Sequence, residues 1–198
     1  MQALIVRSPW HLYALYAAMF VCYAPEWLGS FFQRPEKGAV KRDRGSHVLL
    51  VFAVVIGTVA AFYFVDAGYP GTTLTWHQPL LFWIGISLML AGFAFRWYSI
   101  RVLGPFFTRD VATRSGQTVV DIGPYRLIRH PSYSGSLLMF LGTGLAMTNW
   151  ASLLAVLLGA LIGFGWRVHV EEQALCTDLG EPYRDYMRRT RRFVPFVW

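Results

Sequence analysis

The chain has 198 residues and a formal net charge of +7, with 55% hydrophobic, 17% aromatic and only 15% charged residues. A soluble domain averages about 25% charged residues, and a small fold leaves much of its surface exposed, so this chain has too few solvating side chains for water alone. Its hydrophobicity excludes intrinsic disorder, and two cysteines in dissimilar surroundings, Cys22 and Cys176, exclude a disulfide framework. A greasy basic chain points to a membrane rather than to nucleic acid.

Pro9 to Phe32 is mostly apolar, with Pro25 and Glu26 marking a kink or an interfacial end. Its length, its Tyr and Trp content and the lack of a small-x-small site argue against a cleaved signal. Val48 to Val65 has 18 residues without a charge or a proline and reads as a transmembrane helix. Leu80 to Phe95 reads likewise, extended by its flank to about Leu103. Pro131 to Trp166 holds 36 residues without an ionised side chain. As one helix it would measure about 54 Å at ~1.5 Å per residue, too long for one bilayer. A helical hairpin turning at Thr148-Asn149 fits instead. The predicted fold class is all-α and polytopic: one membrane-embedded domain over 1–198, with about five transmembrane helices. These lie near 9–32, 48–65, 80–103, 131–148 and 150–168, followed by a tail over 169–198.

The charges then fall into place. Seventeen of the 18 basic residues lie in the 33–47 and 96–130 connections or in 167–198, leaving Arg7 for the opposite side. The positive-inside rule gives an outside N-terminus and a cytoplasmic C-terminus, as an odd helix count requires, in a bacterial inner membrane or its equivalent. Function is expected at the cytoplasmic interface, within reach of a soluble cofactor and a lipid-borne substrate. Arg188, Arg189, Arg191 and Arg192 are expected to meet anionic lipid headgroups.

Two constellations carry chemistry. Arg129-His130-Pro131-Ser132-Tyr133 opens the fourth helix, where Pro131 suits the first turn and the following amides form a possible anion site. The plainer reading is an interfacial helix cap. At the fifth helix's inner end, Arg167 and Glu171 are four apart and share a face. They form a simple ion pair, or else Glu171 binds an ammonium and Arg167 a substrate anion at the edge of a polar cavity. Gly142-Thr143-Gly144 and the Gly159/Gly163 spacing read as helix contacts. His47, His77 and His169 lack partners at ligand spacing, His11 reads as interfacial, and no metal is expected. No P-loop, GxGxxG or GxSxG element is present.

Together with Glu171-Glu172 about 40 residues on, the Arg129–Tyr133 motif resembles the isoprenylcysteine carboxyl methyltransferase family and its bacterial and archaeal relatives. The similarity extends through Leu103-Gly104, Phe107-Thr108, Gly123-Pro124-Tyr125, Leu175, Gly180, Tyr183, Tyr186 and Arg192-Phe193-Val194-Pro195, covering about 80–198. The resemblance implies an S-adenosylmethionine-dependent methyltransferase whose cofactor binds in a cytoplasmic C-terminal region. It implies that His130, Pro131, Ser132 and Tyr133 cradle the cofactor, with Tyr125 and the segment Gln117, Thr118, Val119 and Val120 around it. Glu171 matches the family's cofactor-binding glutamate, and Arg167 its substrate-orienting arginine. The match at Gln117 and around Asp110 is poor by residue type.

The implied chemistry is methylation of a lipophilic acceptor entering from the bilayer, such as a prenylcysteine-like carboxylate. A carboxylate is already ionised near neutral pH and needs no base. Phospholipid amines and small thiols are the alternative acceptors, and an amine would give Glu172 a role as base. A sterol-reductase-like enzyme using NADPH shares the RHPxYxG stretch but is expected to be longer. A non-catalytic membrane adaptor predicts that the two constellations do not converge.

Overall fold

The structure, a computed structural model, describes residues 2–32, 40–41, 43–108, 112–113 and 116–194. Asp110, Pro195 and the basic residues Arg34, Lys37, Arg42, Arg109 and Arg114 lie outside them. The described chain is nearly all helical. A short α1 (Leu4–Arg7) precedes five long helices: α2 (Pro9–Phe32), α3 (Ser46–Ala67), α4 (Gln78–Leu103), α5 (Pro131–Ala146) and α6 (Trp150–Leu179). A short α7 (Glu181–Arg189) follows. One departure from an all-α chain is a two-residue antiparallel pairing of β1 (Val40–Lys41) with β2 (Ala112–Thr113).

Among the described residues, three segments are long and apolar enough to cross a bilayer: α3, α4 with its following turn (Gln78–Phe106), and α6. α5, at 16 residues, spans about 24 Å, short of a ~30 Å hydrocarbon layer. Pro25 lies inside α2, which continues past it to Phe32 rather than ending there. The chain is an integral membrane protein, and its surface is consistent with this. Phe52, Ile56 and Val59 on α3 and Leu158 and Ile162 on α6 are 57–64% exposed, while Asn149, Ser152, Arg167 and Glu172 are buried. Apolar groups face out because lipid is the solvent there.

Glycines set the packing. A Cβ on Gly85 would come within 2.5–2.6 Å of the Ala146 nitrogen and the Gly142 oxygen, and one on Gly159 within 2.5 Å of the Ala53 oxygen. So α4 meets α5, and α3 meets α6, backbone to backbone, as small residues allow in membranes. The 142–144 and 159/163 glycines are thus helix contacts: Gly144 faces Leu153 and Gly163 faces Leu50. The turn between α5 and α6 falls at Thr148-Asn149. The Asn149 side chain caps α6 by accepting from the Ser152 amide at 3.0 Å, and Thr148 Oγ1 accepts from the Leu4 amide at 2.9 Å.

At the other end α6 runs well beyond residue 168, so Glu171 and Glu172 lie within the helix. Gly180 ends it at φ 65°, ψ −136°, a backbone region open to glycine, and turns the chain into α7. The chain then returns alongside 127–130: the Arg129 and His130 amides donate to the Arg191 and Arg192 carbonyls at 2.7 and 3.1 Å.

Candidate functional site

The two constellations converge at the adjoining ends of α5 and α6. Pro131 opens α5, and His130 precedes it with its ring stacked on Tyr133, centroids 5.7 Å apart and planes 12° apart. The Tyr133 and Ser134 amides turn back onto the His130 carbonyl, leaving the first turn fewer amides for an anion than expected. The Tyr133 hydroxyl instead reaches α6, where it donates to Glu171 Oε2 at 2.7 Å and accepts from Arg167 Nε at 3.3 Å. Arg167 and Glu171 are therefore linked through a tyrosine rather than standing as a simple i,i+4 pair.

Two cavities meet at Tyr133. The first is lined by Gln117, Thr118, Val119, Val120, Tyr125, His130, Ser132, Tyr133 and Glu171 from the expected set. Its wall also includes Arg129, Phe106, Phe107, Thr108, Leu175, Tyr183 and Tyr186. The second is an apolar groove bounded by α2 to α6, with Leu50, Val54, Met139, Phe140 and Phe164 in its wall and Arg167 and Arg96 at its polar end. Phe107, Thr108 and Tyr133 belong to both. Pro131 is buried at the start of α5 and does not line either cavity.

Glu172 sits behind this junction. Its Oε1 takes Arg129 Nε at 2.8 Å and His130 Nε2 at 3.4 Å, and its Oε2 takes Arg192 Nη2 at 2.9 Å. It lines neither the first cavity nor the groove. Both oxygens are engaged, and Glu172 thereby fastens 129–130 to the returning chain at Arg192. Arg129 extends the fastening by donating to the Met187 and Thr190 carbonyls at 3.1 and 2.6 Å, closing the end of α7. Burial pushes the phenols of Tyr125, Tyr183 and Tyr186 up, so they remain neutral donors. Tyr186 uses its hydroxyl on the Tyr125 carbonyl at 2.7 Å.

Two ion pairs beside the groove escaped the sequence reading. Asp43 binds Arg167, and Glu26 binds Arg96. The only signal for Asp43 is an acid within the run Lys41-Arg42-Asp43-Arg44 ahead of a helix. Tyr183 and Tyr186 were legible as family positions but not as cavity wall. The outer arginines are internally paired: Arg188 with Glu181 and Asp185, Arg184 with Glu181, and Arg189 with Asp121.

Residues 80–181, more than half of the chain, match the family model described as phospholipid methyltransferase. The chain belongs to the phospholipid methyltransferase family. It is 31% identical to Protein-S-isoprenylcysteine O-methyltransferase B of Arabidopsis thaliana over 65% of this chain and 65% of that protein. It is 33% identical to the cobalt-zinc-cadmium resistance protein CzcN of Cupriavidus metallidurans over 75% of this chain and 64% of that protein. The chain thus spans a little under two-thirds of the length of these relatives. Among solved structures, a eukaryotic intramembrane Ras methyltransferase (isoprenylcysteine carboxyl methyltransferase) superposes with a TM-score of 0.57. That match has 22% identity and covers 95% of this chain and 63% of the other, so the fold is shared across nearly the whole family member described here.

Proposed function

We propose that this protein is an S-adenosylmethionine-dependent methyltransferase acting on a lipophilic acceptor at a membrane interface. One observation carries the reading: Tyr133 forms a common wall between a cavity holding Glu171 and an apolar groove that Arg167 lines. A cofactor and a lipid need these two compartments side by side, and a non-catalytic adaptor needs neither. The first cavity suits the cofactor's chemistry, because Glu171 offers a carboxylate to a cation while Tyr125, Phe107 and Tyr183 offer faces to a flat ring. When bound, S-adenosylmethionine supplies an electrophilic methyl group on a sulfonium sulfur. His130, Ser132, Tyr133, Tyr125 and the Gln117–Val120 segment would hold it, and Pro131 fixes the start of the helix that carries Ser132 and Tyr133. The groove admits the acceptor's hydrocarbon from the bilayer and excludes water from the reacting ends. Arg167 orients the acceptor end, acting in part through the Tyr133 hydroxyl.

In this reading α2 and α5 join the three apolar spans to make five crossings, with the N-terminus outside and the site at the cytoplasmic face. The membrane is a bacterial inner membrane or its equivalent. The exposed arginines of α7 lie near anionic headgroups, with their charge reduced by their own ion pairs. A prenylcysteine-like carboxylate, a phospholipid amine and a thiol are the candidate acceptors.

The test is calorimetry with S-adenosylhomocysteine, followed by incubation with methyl-labelled cofactor and a prenylcysteine, an aminophospholipid and a small thiol. Binding of S-adenosylhomocysteine and label transfer to one acceptor are expected. Label released by mild base marks an ester, and retained label marks an amine or a thioether. Binding of NADPH in place of S-adenosylhomocysteine would transfer the chain to the reductase reading.

A further inference from the structure

The single turn Gly123–Arg126 has two unlike sides. On one side Tyr125 is buried in the wall of the first cavity. Its hydroxyl donates to the Ser99 carbonyl of α4 at 3.3 Å, and its own carbonyl accepts from the Tyr186 hydroxyl at 2.7 Å. Gly123 also lies against α4, where an added Cβ would stand 3.2 Å from the Tyr98 hydroxyl and 3.4 Å from Val102. On the other side Ile122 and Leu127, which flank the turn, are 60% and 50% exposed, and Tyr98 is 52% exposed.

The helix behind the turn sets its depth. At ~1.5 Å per residue the 26 residues of α4 measure about 39 Å, about 9 Å more than a ~30 Å hydrocarbon layer. Counted from Gln78, that excess is the stretch 98–103, which includes the residues the turn packs against. Ile122, Leu127 and Tyr98 therefore stand at headgroup level, where exposed apolar and tyrosine side chains meet the acyl boundary rather than water.

The cations at this level differ from those of α7. Arg184, Arg188 and Arg189 are each held in an ion pair. The side chains of Arg126 and of Arg101, three residues after Tyr98, are exposed and have neither a hydrogen bond nor an ion pair among the described residues. Arg126 lines an open cavity of about 520 Å³ together with Ile122, Asp121, Tyr186, Arg189 and Thr190. Asp121, the one carboxylate in that described wall, is taken by Arg189 at 3.0 Å. The Tyr186 and Thr190 hydroxyls donate to the Tyr125 and Tyr186 carbonyls. Arg126 is left as the wall group with its donors unused.

We infer that this cavity binds the phosphate of an anionic membrane lipid through Arg126, with the acyl chains lying along Ile122, Leu127 and Tyr98. A guanidinium offers phosphate oxygens a two-pronged, charge-assisted contact. A second guanidinium in the same wall, Arg189, disfavours a headgroup that carries its own cation, such as choline. The apolar edge assigns the phosphate to a lipid rather than to a soluble ester. The inference needs only the membrane crossing of α4 and stands apart from the methyltransferase reading.

The experiment is native mass spectrometry of the full chain in detergent, titrated with dioleoylphosphatidylglycerol or dioleoylphosphatidylcholine and read as the affinity for the first bound lipid. Wild type is expected to bind phosphatidylglycerol about fivefold more tightly than phosphatidylcholine. Arg126→Gln is expected to weaken phosphatidylglycerol about fivefold, to the phosphatidylcholine level, while Arg188→Gln, outside the cavity, changes it less than about twofold. Ile122→Gln keeps the charge and is expected to weaken both lipids about threefold. Because Arg126→Gln keeps its phosphatidylcholine binding, misfolding cannot mimic its loss, and the melting temperature checks each preparation. Equal affinity of wild type for the two lipids, no loss in Arg126→Gln, or equal losses in the Arg126 and Arg188 variants overturns the inference. Displacement of phosphatidylglycerol by millimolar inorganic phosphate, or wild-type lipid binding by Ile122→Gln, overturns it in favour of a soluble phosphate ester.

Discussion

The first cavity and the apolar groove share Phe107, Thr108 and Tyr133, yet they are built by different means. The groove is bounded by faces of long helices whose spacing is set by glycine contacts, Gly85 with Gly142 and Gly57 with Gly159. The cavity is assembled from short pieces: the Gln117–Val120 segment, the single turn carrying Tyr125, and α7. Those pieces are tied down by directed polar contacts, above all Arg129 and Arg192 on Glu172 and the return of 191–192 along 127–130. Helix packing gives a long apolar space that tolerates variation in the hydrocarbon. Directed hydrogen bonds give a site that holds one shape, because a buried polar group left without its partner costs free energy. Each construction suits the chemistry assigned to its compartment, and the two should fail independently.

The largest expected effect separates them from the groove side. Val54→Trp places an indole in the groove wall, where a half-buried valine now stands. Methyl transfer to a long-chain acceptor should fall below detection, while S-adenosylhomocysteine affinity stays within about twofold, since the cavity is built from other elements. A parallel loss of both would mean that the compartments are one site. From the cavity side, Glu171→Ala removes a carboxylate whose environment is only partly buried, 28% exposed at the side chain. Calorimetry should register a roughly 10- to 100-fold loss of S-adenosylhomocysteine affinity, the usual range for a charge-assisted contact. Amphiphile retention by the groove should be unchanged, and a matching loss there would remove the independence argued above.

The sequence made these two regions unequally legible. The helices around the groove announce themselves, because long uncharged runs have no other stable place, and the glycine spacings at 142–144 and 159/163 marked close contacts. The Arg129–Tyr133 motif was legible because Pro131 suits the first turn of a helix, where its missing amide costs nothing. The full length of α6 was not legible for a physical reason. Charges at 167, 171 and 172 look like departure from the membrane, but here they face Asp43, Tyr133 and the Arg129–Arg192 cluster, so the helix continues to Leu179. The pairs Glu26–Arg96 and Asp43–Arg167 join residues 70 and 124 positions apart. No local pattern encodes such a distance.

Tyr133 is where the comparison can be made sharpest, because its hydroxyl links Arg167 at the groove to Glu171 in the cavity. Tyr133→Phe keeps the ring that stacks on His130 and packs against Phe164, centroids 5.2 Å apart, and deletes only the oxygen between Arg167 and Glu171. The walls of cavity and groove keep their shape, so affinity for S-adenosylhomocysteine and retention of a long-chain thiol should each change by no more than about threefold. Turnover depends on the relative placement of the two bound partners, and loss of the link should lower kcat by about tenfold with KM little changed. A loss confined to cofactor affinity would reduce Tyr133 to a wall residue of the first cavity. A loss confined to acceptor KM would make it part of the groove. Only a fall in kcat with both affinities preserved identifies the hydroxyl as the joint between two independently built halves.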